Sequence, residues 1–271
     1  MTLADVELST LETFALELAH AAGEVILPLF RPDPGVGNGL EDKGPAKNGE
    51  FDPVTLADKG AEAAIRRLVA ERYPDHGVIG EEYGEDRPDA EFVWVLDPID
   101  GTRAFIAGLP LWTTLIGLRH QGRPVVGAIG QSYIGEVFLG SRRGSSLVRG
   151  GDIYPLRVRT CASLGEALIA TTDQNIFKGQ DAERWATVRA KARVARFGCD
   201  AYAYAMVAMG AMDAVIETGL KAWDIEAAIP LIEGAGGFIS HWNGDTIGPN
   251  GGNMLIAGDE RVRDELIGLL A

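Results

Sequence analysis

The chain has 271 residues, 46% of them hydrophobic, which is enough to bury a substantial core in one or two domains. Its 25 Lys and Arg against 39 Asp and Glu give a net charge of −14, which argues against nucleic-acid or anionic-membrane binding, because both need clustered basic residues. Because an acidic protein that handles phosphate needs a local cation, the net negative charge is consistent with a bound divalent metal. It is equally consistent with a surface that only keeps the protein soluble.

The start of the chain does not resemble a signal peptide, because residues 1–14 lack a basic stretch followed by an apolar run. No segment reaches the roughly 18 consecutive apolar residues of a membrane-spanning helix. Cys161 and Cys199 are the only cysteines, too few for a disulfide framework. We therefore predict a cytoplasmic protein.

Apolar residues recur every three or four positions from Leu3 to about Leu27 and predict an amphipathic helix that ends near Pro28. Residues 31–50 are rich in Gly, Pro and charge, which predicts a mobile loop. Whether this loop closes over a substrate as a lid is a hypothesis that the sequence leaves open. A second helix is predicted from Thr55 to Arg72.

Two different patterns of secondary structure follow. Apolar, β-rich runs separated by short turns predict consecutive antiparallel strands at 92–96, 113–119, 124–130 and 136–139. After Gly150 strands and helices alternate, which is typical of α/β organisation. The predicted strands are 167–170, 193–197 and 213–217, and the predicted helices are 181–192, 200–210 and 224–234. We therefore divide the chain into halves, 1–152 and 153–271.

The densest run of chemically suggestive residues is WVLDPIDGTRAF, at 94–105. An apolar strand there delivers Asp97 and Asp100, and Gly101 allows a sharp turn into a short helix from Thr102, whose free N–H groups favour a phosphate. Two carboxylates this close repel each other unless a cation lies between them, and oxygen ligands select a hard cation such as Mg²⁺. The alternative is a turn with two capping aspartates, about as probable for the pair alone.

Two further acidic positions strengthen the metal interpretation. Glu81, in the sequence Gly80-Glu81-Glu82, follows a predicted strand end, although paired glutamates are ordinarily a solvated surface feature. Asp224 follows Trp223 and opens an apolar helix, where it is equally well explained as an N-cap.

Together, GEE (80–82), DPIDGT (97–102) and WD (223–224) resemble the signature of the inositol monophosphatase superfamily of metal-dependent phosphatases. Longer segments are similar to its histidinol-phosphatase branch, namely residues 51–62, 97–118 and 199–237. The resemblance implies an α/β (α+β) fold, a five-layer α-β-α-β-α sandwich of the inositol monophosphatase and fructose-1,6-bisphosphatase type. It places the active site between an antiparallel sheet and a smaller mixed sheet, commonly in a homodimer.

The resemblance also implies the metal ligands. Glu81, Asp97 and the main-chain carbonyl of Ile99 bind a first Mg²⁺, while Asp97, Asp100 and Asp224 bind a second. A third, looser ion shares Glu81 with water, which makes Glu81 a catalytic residue as well. Mn²⁺ is an alternative to Mg²⁺.

The same resemblance assigns the catalytic and phosphate-binding groups. Thr102, helped by Asp58, orients and activates the attacking water, and the N–H groups of Gly101 and Thr102 bind phosphate oxygens. Asp58 has a structural alternative, because with Thr55 it forms a capping-box pattern at a helix start. Arg103 either faces the phosphate or covers the strand end.

The predicted substrate is histidinol phosphate, an intermediate of histidine biosynthesis, because its cationic amine suits acidic neighbours. Asp200 and Glu217 are the proposed substrate contacts, with a helix N-cap and a surface acid at a strand end as their alternatives. The role of Lys221 is open. Inositol, sugar and nucleotide phosphates are alternative substrates, because related pockets exchange substrates through few side chains.

Two rival functions deserve comparison. In haloacid-dehalogenase-type phosphatases a nucleophilic aspartate stands two residues before the second aspartate, but that position is Pro98 here. A non-catalytic metal- or phosphate-binding regulator is the other rival, and the full set of expected ligands argues against it.

Overall fold

Two β-sheets alternate with three helical layers in the computed structural model, which describes residues 3–32, 41–42, 53–248 and 251–271. The strands are β1 Glu41–Asp42, β2 Pro53–Val54, β3 Gly77–Gly80, β4 Gly84–Asp86, β5 Phe92–Asp100, β6 Thr113–His120, β7 Arg123–Gln131, β8 Glu136–Ser141, β9 Gly144–Arg149, β10 Asp152–Pro155, β11 Leu168–Thr171, β12 Val194–Phe197, β13 Ala214–Leu220, β14 Phe238–Ser240 and β15 Gly252–Ala257. The helices are α1 Asp5–Ile26, α2 Leu56–Arg72, α3 Thr102–Ile106, α4 Gln180–Lys191, α5 Tyr202–Ala208, α6 Ala222–Ile225, α7 Ala228–Gly234 and α8 Glu260–Leu270.

The larger sheet has eight strands in the order β10-β9-β8-β7-β6-β5-β3-β4. The predicted succession of antiparallel strands is confirmed for β5 through β8. The strands β4, β9 and β10 were not predicted. Strands β4 and β10 are short and exposed along their whole length, so they carry no apolar pattern, and β9 buries only Ser145 and Leu147.

The smaller sheet has five strands in the order β12-β11-β13-β15-β14. The first three are parallel, whereas β15 runs antiparallel to β13 and β14, so the sheet is mixed. The predicted helix over 224–234 is wrong in one respect, because two short helices, α6 and α7, replace it. Strands β14 and β15 and helix α8 were not predicted.

Five layers result from the packing of these elements. Helices α1 and α2 lie on one face of the larger sheet, and α1 buries Leu11, Phe14 and Leu18 there, as the predicted apolar stripe requires. Helices α5, α6 and α7 lie between the sheets, while α8 packs with α4 beside β15 of the smaller sheet. The predicted α-β-α-β-α sandwich is therefore confirmed.

The middle helical layer lies unusually close to the larger sheet because two strand glycines leave room for it. A Cβ atom at Gly127 would come within 2.0 Å of the Ala227 carbonyl oxygen, and one at Gly140 within 2.2 Å of the Leu231 Cα. A larger residue at either position would push α7 away from the sheet. This close approach brings the residues just before α7, including Asp224, towards the larger sheet.

Three further sequence predictions concern the loop 31–50, the division of the chain at 152 and membrane-spanning helices. Within the predicted loop 31–50, Glu41–Asp42 form a short strand paired with β2, and the lid prediction otherwise falls outside the described residues. The division at 152 stays a prediction, and β10 continues past it to Pro155. Among the helices described, none combines the length and apolar character needed to cross a bilayer.

Candidate active site

An irregularity in β5 turns Asp97 and Asp100 towards one site. On a regular strand, residues three apart face opposite sides of the sheet. Here Asp97 pairs with Leu115 of β6 and Asp100 pairs with Thr113, so two residues of β5 lie opposite one residue of β6. Such a bulge reverses the alternation of side chains, and both carboxylates can reach the same space.

Three carboxylates meet at the end of β5. Oxygen atoms of Asp97, Asp100 and Asp224 all lie within 4.8 Å of one another. Asp224 stands in α6, where its Oδ2 accepts the N–H of Lys221 at 2.6 Å. Asp100 accepts the N–H of Ala201 at 2.6 Å, which ties β5 to the segment that leads into α5. The structure thus brings together acids that are distant in the chain.

Glu81 lies beside this cluster, on the turn between β3 and β4. Its N–H donates to the carbonyl of Leu96 at 3.2 Å, which holds the turn against the end of β5. Burial is the main reason that the pKa values of Asp97, Asp58 and Asp224 are raised, and the charge of Glu81 raises each of them further. The charge of Glu81 therefore acts on all three carboxylates.

The crowded acids fit a divalent cation. Burial, followed by neighbouring negative charges, raises the pKa of Asp97 and of Asp100 well above the usual range, and burial raises that of Asp224 to about 7. Asp97 is only 3% exposed, and its Oδ1 has no hydrogen-bond partner among the described residues. A buried acceptor left unpaired is costly, and a hard cation would both pair it and offset the repulsion.

The predicted catalytic residues flank the acid cluster. Gly101 adopts a left-handed conformation, with φ of 81°, and starts α3. The Thr102 hydroxyl donates to the Ile99 carbonyl at 3.1 Å. The predicted capping box is present, because Asp58 accepts the N–H of Thr55 at 2.8 Å. Since α3 contacts β2, which leads into α2, Thr102 and Asp58 belong to neighbouring segments.

The two proposed substrate-binding acids also lie at this site. Glu217 is 1% exposed and accepts the N–H of Thr172 at 2.6 Å, so its interpretation as a surface acid is wrong. Asp200 lies two residues before α5, with φ of 44°, and a Cβ atom on Gly101 would be 3.1 Å from its Oδ2. Burial raises the pKa of Glu217 to about 8 and that of Asp200 to about 6.

Two residues of the site were missed by the sequence analysis. Thr172 follows β11, and its hydroxyl donates to Glu217 at 3.1 Å. Tyr204 is 2% exposed, and burial, followed by the charges of Glu217 and Asp100, raises its pKa well above the usual range. Thr172 stands in no motif, and its only signal was a polar residue after a buried strand. Tyr204 lies in the resembling segment 199–237, but an aromatic residue inside a predicted helix is ordinarily part of the core. Arg103 is exposed, and its charge partly opposes the effect of burial on Asp200.

Known proteins resemble the chain over most of its length. It is 40% identical over 244 residues to the bifunctional phosphatase IMPL2, chloroplastic, of Arabidopsis thaliana, covering 89% of this chain and 67% of that protein. It is 30% identical over 231 residues to a histidinol-phosphatase of Chlorobaculum parvum, covering 85% of each. An inositol monophosphatase from Zymomonas mobilis superposes with a TM-score of 0.82 at 33% identity, covering 97% of this chain and 98% of that one.

A sequence model of the inositol monophosphatase family matches residues 7–270. This match includes every residue of the acid cluster and both sheets. The predicted resemblance and fold type are therefore confirmed. Because the match spans nearly all of the sequence, the chain belongs to the inositol monophosphatase family, whose members are metal-dependent phosphatases.

Proposed function

We propose that this chain hydrolyses L-histidinol phosphate with Mg²⁺ held by the acid cluster. The observation that carries the metal site is the meeting of Asp97, Asp100 and Asp224 within 4.8 Å, together with the unpaired Oδ1 of Asp97. Carboxylates that are crowded and buried in this way favour a bound cation over three separate negative charges.

The proposed metal ligands are those that the family resemblance implies. Glu81, Asp97 and the carbonyl of Ile99 would hold one Mg²⁺, and Asp97, Asp100 and Asp224 would hold a second. Glu81 would also take part in holding a third, looser ion. When bound, these ions lower the pKa of a coordinated water and stabilise the leaving oxygen. Mn²⁺, which also prefers oxygen ligands, should substitute.

The chain's own residues then orient and deprotonate water. Thr102 would orient the attacking water and relay its proton to the carboxylate of Asp58, while the N–H groups of Gly101 and Thr102 would bind phosphate oxygens. A bond forms between the water oxygen and phosphorus, and the bond from phosphorus to the ester oxygen breaks. The leaving alkoxide takes up a proton from solvent, so the products are inorganic phosphate and the free alcohol.

Charge at the substrate end of the site supports histidinol phosphate. Glu217 and Asp200 both have raised pKa values, mainly through burial, and nearby positive charge does not reverse this effect, since Arg103 opposes it only in part at Asp200. A substrate ammonium group would supply that charge and favour the ionised carboxylates. The relative from Chlorobaculum parvum, a histidinol-phosphatase, adds support by similarity.

An inositol phosphate is the second candidate. With a pKa of about 8, Glu217 is largely protonated near neutral pH and can donate a hydrogen bond to a neutral hydroxyl group. The similarity to the inositol monophosphatase from Zymomonas mobilis supports the same reading. The two candidates therefore differ in whether Glu217 acts as an anion or as a neutral acid.

A substrate panel with and without Mg²⁺ tests the proposal. We expect kcat/KM for histidinol phosphate to exceed that for inositol 1-phosphate by about 100-fold, or about 2.7 kcal/mol. Glu217→Gln should lower kcat/KM for histidinol phosphate more than for inositol 1-phosphate. Equal rates on sugar and nucleotide phosphates would indicate a generalist, and the absence of Mg²⁺-dependent turnover would favour a non-catalytic binding protein.

The predicted homodimer and cytoplasmic location complete the proposal. Light scattering with the purified chain should give twice the mass of one chain if the homodimer forms. A monomer of full activity would show that the partner subunit is not needed for the chemistry. Because all the proposed ligands come from one chain, we expect each subunit to have a complete site.

A further inference from the structure

The turn that carries Glu81 encloses a buried carboxylate to which the sequence analysis assigned no role. Glu62 of α2 has no solvent exposure, and its Oε2 accepts the N–H of Glu82 at 2.8 Å. Its Oε1 accepts the N–H of Tyr83 at 3.2 Å and bonds to the Nε of Arg66 at 2.7 Å. All of these donors lie on the turn that follows Glu81 or on the next turn of α2.

The turn is shaped around this carboxylate. A Cβ atom at Gly80 would come within 2.1 Å of Oε1 of Glu62, so only glycine leaves room for the carboxylate there. Arg66, which pairs with Glu62, also donates to the carbonyl of Gly84 at the far end of the turn. Glu62 and Arg66 therefore hold residues 82–84, which directly follow Glu81, and Glu62 packs closely against Gly80 before it.

We propose that Glu62 is a positioning residue for the metal ligand Glu81, an inference that rests on the proposed function. The two N–H groups it accepts belong to the residues that directly follow Glu81, so the backbone from which Glu81 projects is fixed at Glu62. Arg66 neutralises the charge of Glu62, so the turn is fixed without adding net negative charge to a site already crowded with acids.

The chemistry requires a carboxylate at this position. Both oxygens of Glu62 accept hydrogen bonds, and a glutamine has only one accepting oxygen. In Glu62→Gln the amide nitrogen would face a backbone N–H or the guanidinium group of Arg66. The turn should loosen, and metal affinity should fall roughly 10–100-fold, as is typical for groups that orient metal ligands.

Asp213 offers a matched control away from the site. It is 1% exposed, accepts the N–H of Leu168 at 2.7 Å and pairs with Arg159, so it makes the same kinds of contact as Glu62. It precedes β13 and lies four residues before Glu217, about 13 Å along an extended strand. Asp213→Asn should therefore cost stability without changing metal binding.

The experiment measures Mg²⁺ binding by isothermal titration calorimetry without substrate, and then the Mg²⁺ concentration for half-maximal phosphate release. For Glu62→Gln we expect both values to weaken about 10–100-fold, with kcat largely recovered at saturating Mg²⁺. Asp213→Asn should match the wild type in both. If Glu62→Gln does not fold, Arg66→Gln tests the same contact with the carboxylate left in place.

The outcomes separate the two proposals. If the wild type binds no Mg²⁺, the proposed function fails. If the wild type and Asp213→Asn bind Mg²⁺ and the folded Glu62 or Arg66 variant binds it equally well, the positioning inference is overturned and the metal site stands.

Discussion

Removing the metal should make the folded protein less stable as pH rises, and Asp224 allows this to be measured. Burial raises its pKa from 3.8 to about 7 in the folded state. A group whose pKa is raised by folding stabilises the fold below its unfolded pKa, and that contribution is lost as pH rises through the folded pKa. Asp224→Asn has no proton to lose, so it should gain stability relative to the wild type between pH 5 and pH 8.

The loss of stability follows from the raised pKa of Asp224. Between pH 5 and its folded-state pKa of about 7 lie about two pH units. Each unit is worth about 1.4 kcal/mol of unfolding free energy, which gives about 3 kcal/mol. The side chain is only half-buried, so solvent screening reduces this to about 1.5 kcal/mol. For a chain of this size, that corresponds to a relative change in Tm of roughly 3–6 °C.

Thermal unfolding of both proteins in a chelator, at pH 5 and at pH 8, provides the assay. His76 also contributes to the pH dependence of stability, because burial lowers its pKa from 6.5 to about 4. It is common to both proteins, so its contribution cancels in the difference. Excess Mg²⁺ should reverse the order by stabilising the wild type more than the variant. A difference in Tm that is the same at both pH values would refute the reasoning.

Three other substitutions test separate parts of the site and fold. Asp97→Asn should abolish Mg²⁺-dependent phosphate release while its Tm in chelator equals or exceeds that of the wild type, because a buried charge has been removed; a large fall in Tm would contradict this. Thr102→Val should lower kcat by about 10²–10⁴-fold, and Thr102→Ser should retain more activity, whereas equal rates for the two would exclude a role for the hydroxyl. Arg119→Gln should cost roughly 3–5 kcal/mol in urea unfolding, because it leaves Glu226 buried and unpaired, and a loss below 1 kcal/mol would show that Glu226 finds another partner.

The sequence analysis predicted best where a pattern follows directly from geometry. The helical stripe of α1 has a fixed period, and β5 through β8 are continuous apolar runs bounded by turns; both predictions are confirmed. Asp97, Asp100 and Asp224 could be nominated because strand ends and helix starts expose carboxylates. Their meeting could be inferred only from resemblance, because it depends on how the two halves of the chain pack.

Features set by tertiary contacts were not predictable. The bulge that brings Asp97 and Asp100 together is a property of the register with β6, not of the residues themselves. The helical pattern over 224–234 is divided into α6 and α7, and Glu226, which lies between them, pairs with Arg119 of β6. The sequence analysis did not single out Glu62, because the turn whose N–H groups donate to it lies about 20 residues further along the chain.

Diffraction from crystals grown with Mn²⁺ tests the metal site most directly, because anomalous scattering locates the ions without reference to activity. We expect at least two peaks between Asp97, Asp100, Asp224 and Glu81, and we expect the peak shared by Asp97, Asp100 and Asp224 to weaken or vanish in Asp224→Asn. A well-ordered structure with no anomalous peak within coordination distance of these carboxylates would contradict the assignment of a metal-dependent active site to this cluster.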